Sequence, residues 1–326
     1  MVPIIDSLGQ VKGYGWGAQI SSGGIVDRGL FFGGRYADGT NTNTIDYITI
    51  STTGNATSFG TLSGAKTGVS SSGNGLRTII AGGYQSGNPI SAIEYVNPAT
   101  TGNSISFGGN LTTSKGYSYT VANDTRCVFG AGYGGAYTTS TDYVTIATTG
   151  GATSWGANLE YGAAFGAGSG SPTRGVFHAG AYGSGYNARH WYITFATTGA
   201  ITNFGDDTGR QQIFAGSSAT RSVYGGGRGP DSSQIASVRY LTIATTGSFS
   251  SFGNLTLRST YWYDPTGASN SVRVVAAGGQ AGEASEWFNY IEYMTIASTG
   301  NGTNFGNLTL ARNTVGASGA HGGLSR

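Results

Sequence analysis

One segment of this chain is written six times. It reads Asp46-Tyr47-Ile48-Thr49-Ile50-Ser51-Thr52-Thr53-Gly54 and closes on Phe59-Gly60 in the first copy. The tyrosine returns at Tyr95, Tyr143, Tyr192, Tyr240 and Tyr293, in steps of 48, 48, 49, 48 and 53 residues. A period of this length constrains the fold more than any single residue does. One repeat is too short to bury both of its own faces, so copies must pack on one another.

Each repeat holds four short segments. In the second copy, Thr67-Gly68-Val69-Ser70-Ser71 is built of small residues, and a turn through Asn74-Gly75 follows. Arg77-Thr78-Ile79-Ile80-Ala81 is apolar and ends in Gly82-Gly83. Ile93-Glu94-Tyr95-Val96 comes after a loop of variable sequence, and Ser104 to Gly108 follows the Thr101-Gly102-Asn103 turn. These segments are too short for helices, and Thr, Ile, Val, Tyr and Phe dominate them. Four strands per period predict a six-bladed β-propeller, all-β and antiparallel, with residues 17–326 as one domain and residues 1–16 as a lead-in or docking segment.

The physics of a closed ring agrees. Innermost strands converge on an axis and need small side chains, as in Gly166-Ala167-Gly168-Ser169. Middle strands are covered on both faces, so the isoleucines of Tyr47-Ile48-Thr49-Ile50 are expected on one face, with Tyr47 and the Thr49 methyl on the other. The rings at Phe59, Phe107, Trp155, Phe204, Phe252 and Phe305 are expected to plug between blades. The small-residue element occurs a seventh time, at Trp16–Arg28 and again at Val315–Arg326, and both copies compete for one slot. Local pairing costs less loop entropy, so the N-terminal copy is expected to run straight into Leu30-Phe31-Phe32, with the C-terminal copy outside the blade.

With Gly-Gly ending the second segment, Tyr on the third and an aromatic residue on the fourth, the chain resembles kelch repeats. The match covers about residues 18–326 and departs in having Phe where that family has Trp in five of the six copies. The Tyr-Ile-Thr-Ile-Ala-Thr-Thr-Gly wording is similar to the kelch-like propellers in virion structural proteins of tailed bacteriophages. That resemblance implies a non-enzymatic tail, fibre or capsid-surface component, made in the host cytoplasm and displayed on the particle, where it adheres to a host receptor or glycan. Other virion proteins, reached through residues 1–16 or the C-terminal segment, are the implied partners, with further copies of the chain as an open alternative. A purely architectural protein and a carbohydrate-active enzyme are the rival readings.

Composition narrows these classes. Charged residues are 10% of the 326, against roughly 25% in ordinary soluble proteins. Net charge is +2, which gives no pull toward nucleic acid. No apolar run approaches a membrane span, and Met1-Val2-Pro3-Ile4-Ile5-Asp6 does not open a signal peptide. Cys127 is the single cysteine and reads as core. The three histidines, His178, His190 and His321, lack metal-ligand spacing, and no cofactor motif is present. The aspartate of a sialidase Asp-box is missing from all six copies.

Two residue sets stand out. Arg28, Arg77, Arg126, Arg174, Arg221 and Arg273 recur at one turn, which makes them a candidate anion ring or, since scaffolds repeat and sites do not, structural donors to the carbonyls of their own turn or the neighbouring blade. Asp46, Glu94, Asp142 and Glu292 precede the repeated tyrosine and are candidate partners for those arginines. The variable loops carry Arg35, Tyr36, Tyr84, Tyr133, Tyr137, Tyr182, Tyr186, Arg228, Trp287 and Phe288, with Tyr261 and Trp262 on connections that share their face. Variable loops on a rigid scaffold are where binding is expected, and aromatic rings among Asn, Gln and Ser suit sugars or a protein surface.

Overall fold

The computed structural model describes residues 27–183, 185–231, 233–257, 266–280, 286–313 and 316–318, with the two-residue strands Ile4–Ile5 and Val11–Lys12. All regular elements among them are strands. Six four-stranded antiparallel sheets form the blades of a β-propeller. In the second blade the strands run Ser70–Gly73, Thr78–Ala81, Ala92–Val96 and Ile105–Asn110 from the axis outward. The six inner strands neighbour one another in a closed cycle.

Six apolar clusters fill the six seams between blades. Between the first and second, Tyr47, Phe59 and Leu62 meet Val69 and Ile80. Ile48 and Ile50 face the other way, into the seam with the sixth blade, as the two-sided burial of a middle strand requires. Thr49 departs from expectation and is exposed at the strand end. The six plug rings are all buried, from Trp155 at 0% to Phe252 at 4% exposed. Each meets its blade's tyrosine edge to face, with centroids between 5.7 Å for Tyr143–Trp155 and 6.2 Å for Tyr192–Phe204. Trp155 also donates its indole N–H to Ala200 O of the next blade at 3.0 Å.

The glycine pairs mark a left-handed bend. Gly82 has φ +62° and Gly83 +95°. A Cβ on Gly82 would lie 2.1 Å from Lys115 O, so in this blade the close approach of the chain that follows the outer strand requires glycine. The third and fourth blades place Ala131 and Ala179 at this first position, with φ of +52° and +47°.

Ring closure corrects one expectation. Gly316–Ser318 forms the inner strand of the first blade and pairs with Arg28–Phe32 in the register Leu30↔Ser318 and Phe32↔Gly316. The C-terminal copy therefore holds the slot. Loop entropy alone favours the local hairpin, whereas closure also completes the seam in which Phe31 and Ile48 pack on Val275 and Phe305. The N-terminal copy, apart from Asp27 and Arg28, and the docking segment, apart from its two short strands, lie outside the described residues.

Candidate functional site

The two ends of the ring are built differently. At one end lie the turns that carry the six arginines. Each guanidinium reaches the end of the third strand of the following blade. Arg77 Nη1 donates to Ile146 O and Ala147 O, both at 3.0 Å, and Arg174 Nη1 to Ile243 O and Ala244 O at 2.9 and 3.0 Å. Arg221 and Arg273 do the same to Ile296 and Ala297 and to Ile50 and Ser51. Arg28 donates to Pro98 O and Arg126 to Phe195 O. Each also lies over its own blade's tyrosine, from 4.1 Å for Arg174 over Tyr192 to 5.3 Å for Arg126 over Tyr143. One guanidinium nitrogen of each arginine, Nη1, is thus engaged by backbone carbonyls of the following blade. A second stitch repeats beside them: the turn glycine N–H donates to the plug-ring carbonyl of the preceding blade, as Gly102 to Phe59 O at 2.8 Å.

The acids do not partner these arginines. Asp46, Glu94, Asp142 and Glu292 are buried, at 0, 4, 1 and 0% exposed, each in a different seam. Their partners come from the outer strand of the preceding blade and the residues after it. Arg312 Nη2 lies 3.1 Å from Asp46, Lys115 Nζ 3.1 Å from Asp142, and Lys66 pairs with Glu94. Glu292 accepts the Thr256 and Leu257 N–H groups at 2.9 and 2.6 Å. In the fifth blade the polarity is swapped, with Arg239 2.7 Å from Asp207. In the fourth, Trp191 packs on Tyr161 at 5.3 Å instead.

The opposite end carries the variable loops, and here the rings gather. Among the described residues, five loops are bridged to the connection between blades, through Arg35↔Asn313, Thr67↔Tyr84, Gly116↔Tyr133, Ala164↔Ala181 and Gln211↔Arg228. Tyr84, Tyr133 and Tyr137 join Tyr117 and Phe165 in one continuous half-buried collar. Tyr117 and Phe165 have centroids 4.4 Å apart, Tyr84 and Tyr117 5.6 Å, and Tyr133 and Tyr137 5.2 Å. Tyr117 and Phe165 of the collar flank one side of an axial cavity of about 120 Å³, whose polar lining includes Ser70, Ser71, Ser118, Thr120, Gln212 and Thr266.

The backbone at this mouth is distinctive. Gly68, Tyr117, Phe165 and Gln212 stand at the same place in four consecutive connections, all left-handed, with φ of +62, +55, +60 and +60°. They are chained by hydrogen bonds round the axis: Tyr117 N–H to Gly68 O at 2.8 Å, Phe165 N–H to Tyr117 O at 3.1 Å, and Gln212 N–H to Phe165 O at 2.6 Å. A side chain at Gly68 would collide with the Tyr117 ring, 2.6 Å away. Large residues in this conformation cost of order 1–3 kcal/mol each.

The remaining loop candidates are dispersed. Tyr182 is 44% exposed and packs on Tyr161 at 5.1 Å, outside the collar. Arg35 folds back on its own loop, donating to Gly39 O at 3.0 Å, beside half-buried Tyr36. Tyr186 and Trp287 are half-buried elsewhere on the face, and Arg228 bridges Gln211 and Gln234 through its backbone. Phe288 departs from the expectation of an exposed loop ring: it is 3% exposed and stacked on Tyr290 at 5.6 Å. Tyr261 and Trp262 lie outside the described residues.

Two features were not anticipated from the sequence. Tyr117 and Phe165 were detectable, because aligning the copies puts both at the position of Gly68. The other is a histidine pair in the seam between the fourth and fifth blades. His178 Nδ1 and His190 Nδ1 are 3.1 Å apart, and His178 Nε2 is 2.6 Å from Ser169 Oγ. Both rings are fully buried, and Tyr224 stacks on His178 at 4.7 Å. Burial, with Arg210 and Arg239 nearby, pushes the His190 imidazole down to about 3. Burial and the neighbouring His190 hold His178 well below its usual range. His190 Nε2 has no partner among the described residues. The arrangement with least cost therefore keeps the proton on His190 Nδ1, donating to His178, and leaves Nε2 as a bare acceptor. Cys127 is core, and burial pushes its thiol up. Among the described residues, no cluster of three or more His, Cys, Asp or Glu could hold a metal.

Comparison with protein-family models and with curated proteins finds no match to this chain.

Proposed function

We propose that this protein is a non-enzymatic adhesion module, a kelch-like propeller displayed on the surface of a tailed-bacteriophage virion, where it binds a host receptor or surface glycan. One observation carries the reading. The repeated residues are used in stitching blades together at one end, while the side chains that differ between repeats collect at the other end as half-exposed rings round the axis. Half-exposed tyrosines anchored on a rigid ring lose little entropy on binding and supply large contact areas. The low charge and the Tyr/Thr-rich repeat wording support the virion assignment by resemblance.

The test is binding of labelled protein to a panel of bacterial cells and their extracted surface glycans, with a Tyr133→Ala/Phe165→Ala variant alongside. Saturable binding weakened by the variant is expected. A folded protein that binds no preparation overturns the adhesion reading and leaves an architectural role.

A further inference from the structure

We propose that the axial funnel is an end-on binding site for the terminal residue of an uncharged glycan. This deepens the adhesion reading above and rests on it.

The funnel offers two chemistries and withholds a third. Its rim is aromatic, with Tyr117 and Phe165 forming one wall at 4.4 Å from each other. A pyranose has faces of C–H groups that pack on such rings. Its depth is polar but neutral, lined by hydroxyls at Ser70, Ser118, Thr120 and Thr266, with the Gln212 amide at the mouth. Ser118 and Thr120 already donate to Ala131 O and Ser118 O, which leaves their oxygens as acceptors, while Ser70 Oγ, which accepts the Ser118 N–H, keeps its proton to donate. Ser71 also lines the funnel, and its buried Oγ has no partner among the described residues. The described residues that line the cavity include no Asp, Glu, Lys, Arg or His. A carboxylate or phosphate entering it would be desolvated without a counter-charge, which is costly. The funnel therefore selects against sialic acids, uronic acids and phosphorylated sugars.

Size and symmetry set the mode of entry. A cavity of about 120 Å³ has room for one sugar unit at most, so a chain must present its end. The collar is lopsided. The third blade supplies Tyr133 and Tyr137 and the connections flanking it Tyr117 and Phe165, whereas the connection before the fifth blade places Gln212 at the same left-handed position. A sugar seated there has an apolar wall on one side and an amide on the other, which fixes its orientation.

The experiment is an array of neutral oligosaccharides beside sialylated, uronic-acid-bearing and phosphorylated ones, probed with the full chain and with Phe165→Gly and Thr266→Val. Phe165→Gly is the safer truncation because the left-handed backbone at this position suits glycine. Thr266→Val removes one hydroxyl at nearly constant shape. Neutral chain ends alone should bind, and each variant should weaken binding about tenfold or more with its thermal midpoint close to wild type. Binding of charged termini, or binding of neutral ones that survives both variants, overturns the funnel site. Saturable binding to cells with no array signal also overturns it and leaves the adhesion reading standing. No binding to cells or array removes both.

Discussion

Arg312 Nη2 lies 3.1 Å from Asp46 Oδ2, and both side chains are fully buried. The two residues belong to the last and first blades, so this pair sits in the seam where the ring closes. Thr309 donates to the same carboxylate through its hydroxyl at 2.8 Å. Removing one member leaves a buried charge without its partner. Asp46→Ala should cost about 3–5 kcal/mol, read from urea denaturation. The double variant Asp46→Leu/Arg312→Met should recover most of that loss, because an apolar pair requires no desolvation of charge. A double variant as unstable as Asp46→Ala would show that the stranded charge is not what destabilises the single variant.

The arginine stitch is only half-buried, so each copy is worth less than the fully buried pair. Arg174→Ala should lower stability by about 1–2 kcal/mol, combining two carbonyl hydrogen bonds with the contact over Tyr192. Arg174→Lys should not restore it, since an ammonium cannot place a planar donor between two carbonyls while lying over a ring. Full rescue by lysine would reduce the interaction to charge alone.

Backbone strain at the collar predicts an order of stabilities. Phe165→Gly and Phe165→Ala both lose the ring, but only alanine keeps a Cβ at φ +60°. The glycine variant should be the more stable by about 1 kcal/mol. Equal stability would show that this position carries no strain.

The buried histidines predict acid sensitivity. Their folded-state affinity for protons is depressed, so the unfolded chain takes up protons first as the pH falls below about 6.5. Stability is fully present above that point and declines toward about 3, where His190 titrates in the fold. The slope is roughly 1.4 kcal/mol per pH unit for each histidine, while Asp207, Arg210, Arg239 and Tyr224 complete the surroundings. Denaturation midpoints measured between pH 7 and 5 should fall, and His190→Gln should reduce the slope by about half. An unchanged slope would assign the acid response to the carboxylates instead.

The architecture was legible because the repeat exposes the requirements of every blade at once. Six copies of one tyrosine and one plug ring predict six seams, and six seams are found. The arginines were legible as a set and as donors to carbonyls of their own turn or the neighbouring blade, and it is the neighbouring blade that they reach. The ion pairs were hidden. Lys66 and Glu94 stand 28 positions apart on different blades, and the fifth blade exchanges the signs through Arg239 and Asp207. The collar was half legible: Tyr84, Tyr133 and Tyr137 are loop aromatics, but Tyr117 and Phe165 sit where other copies hold Gly or Gln. Phe288 was misplaced because an aromatic residue in an insertion reads as exposed, whereas here it turns inward onto Tyr290.

The strand Gly316–Ser318 completes a sheet whose other members begin at Arg28, and on the ribosome it is made after all of them. Until it emerges, the first blade has a bare inner edge and the seam behind Phe31 is unsealed. The circle therefore cannot close before this strand has left the ribosome. A message truncated after the sixth blade would release a chain with every seam residue present and an unpaired strand edge open to other nascent chains.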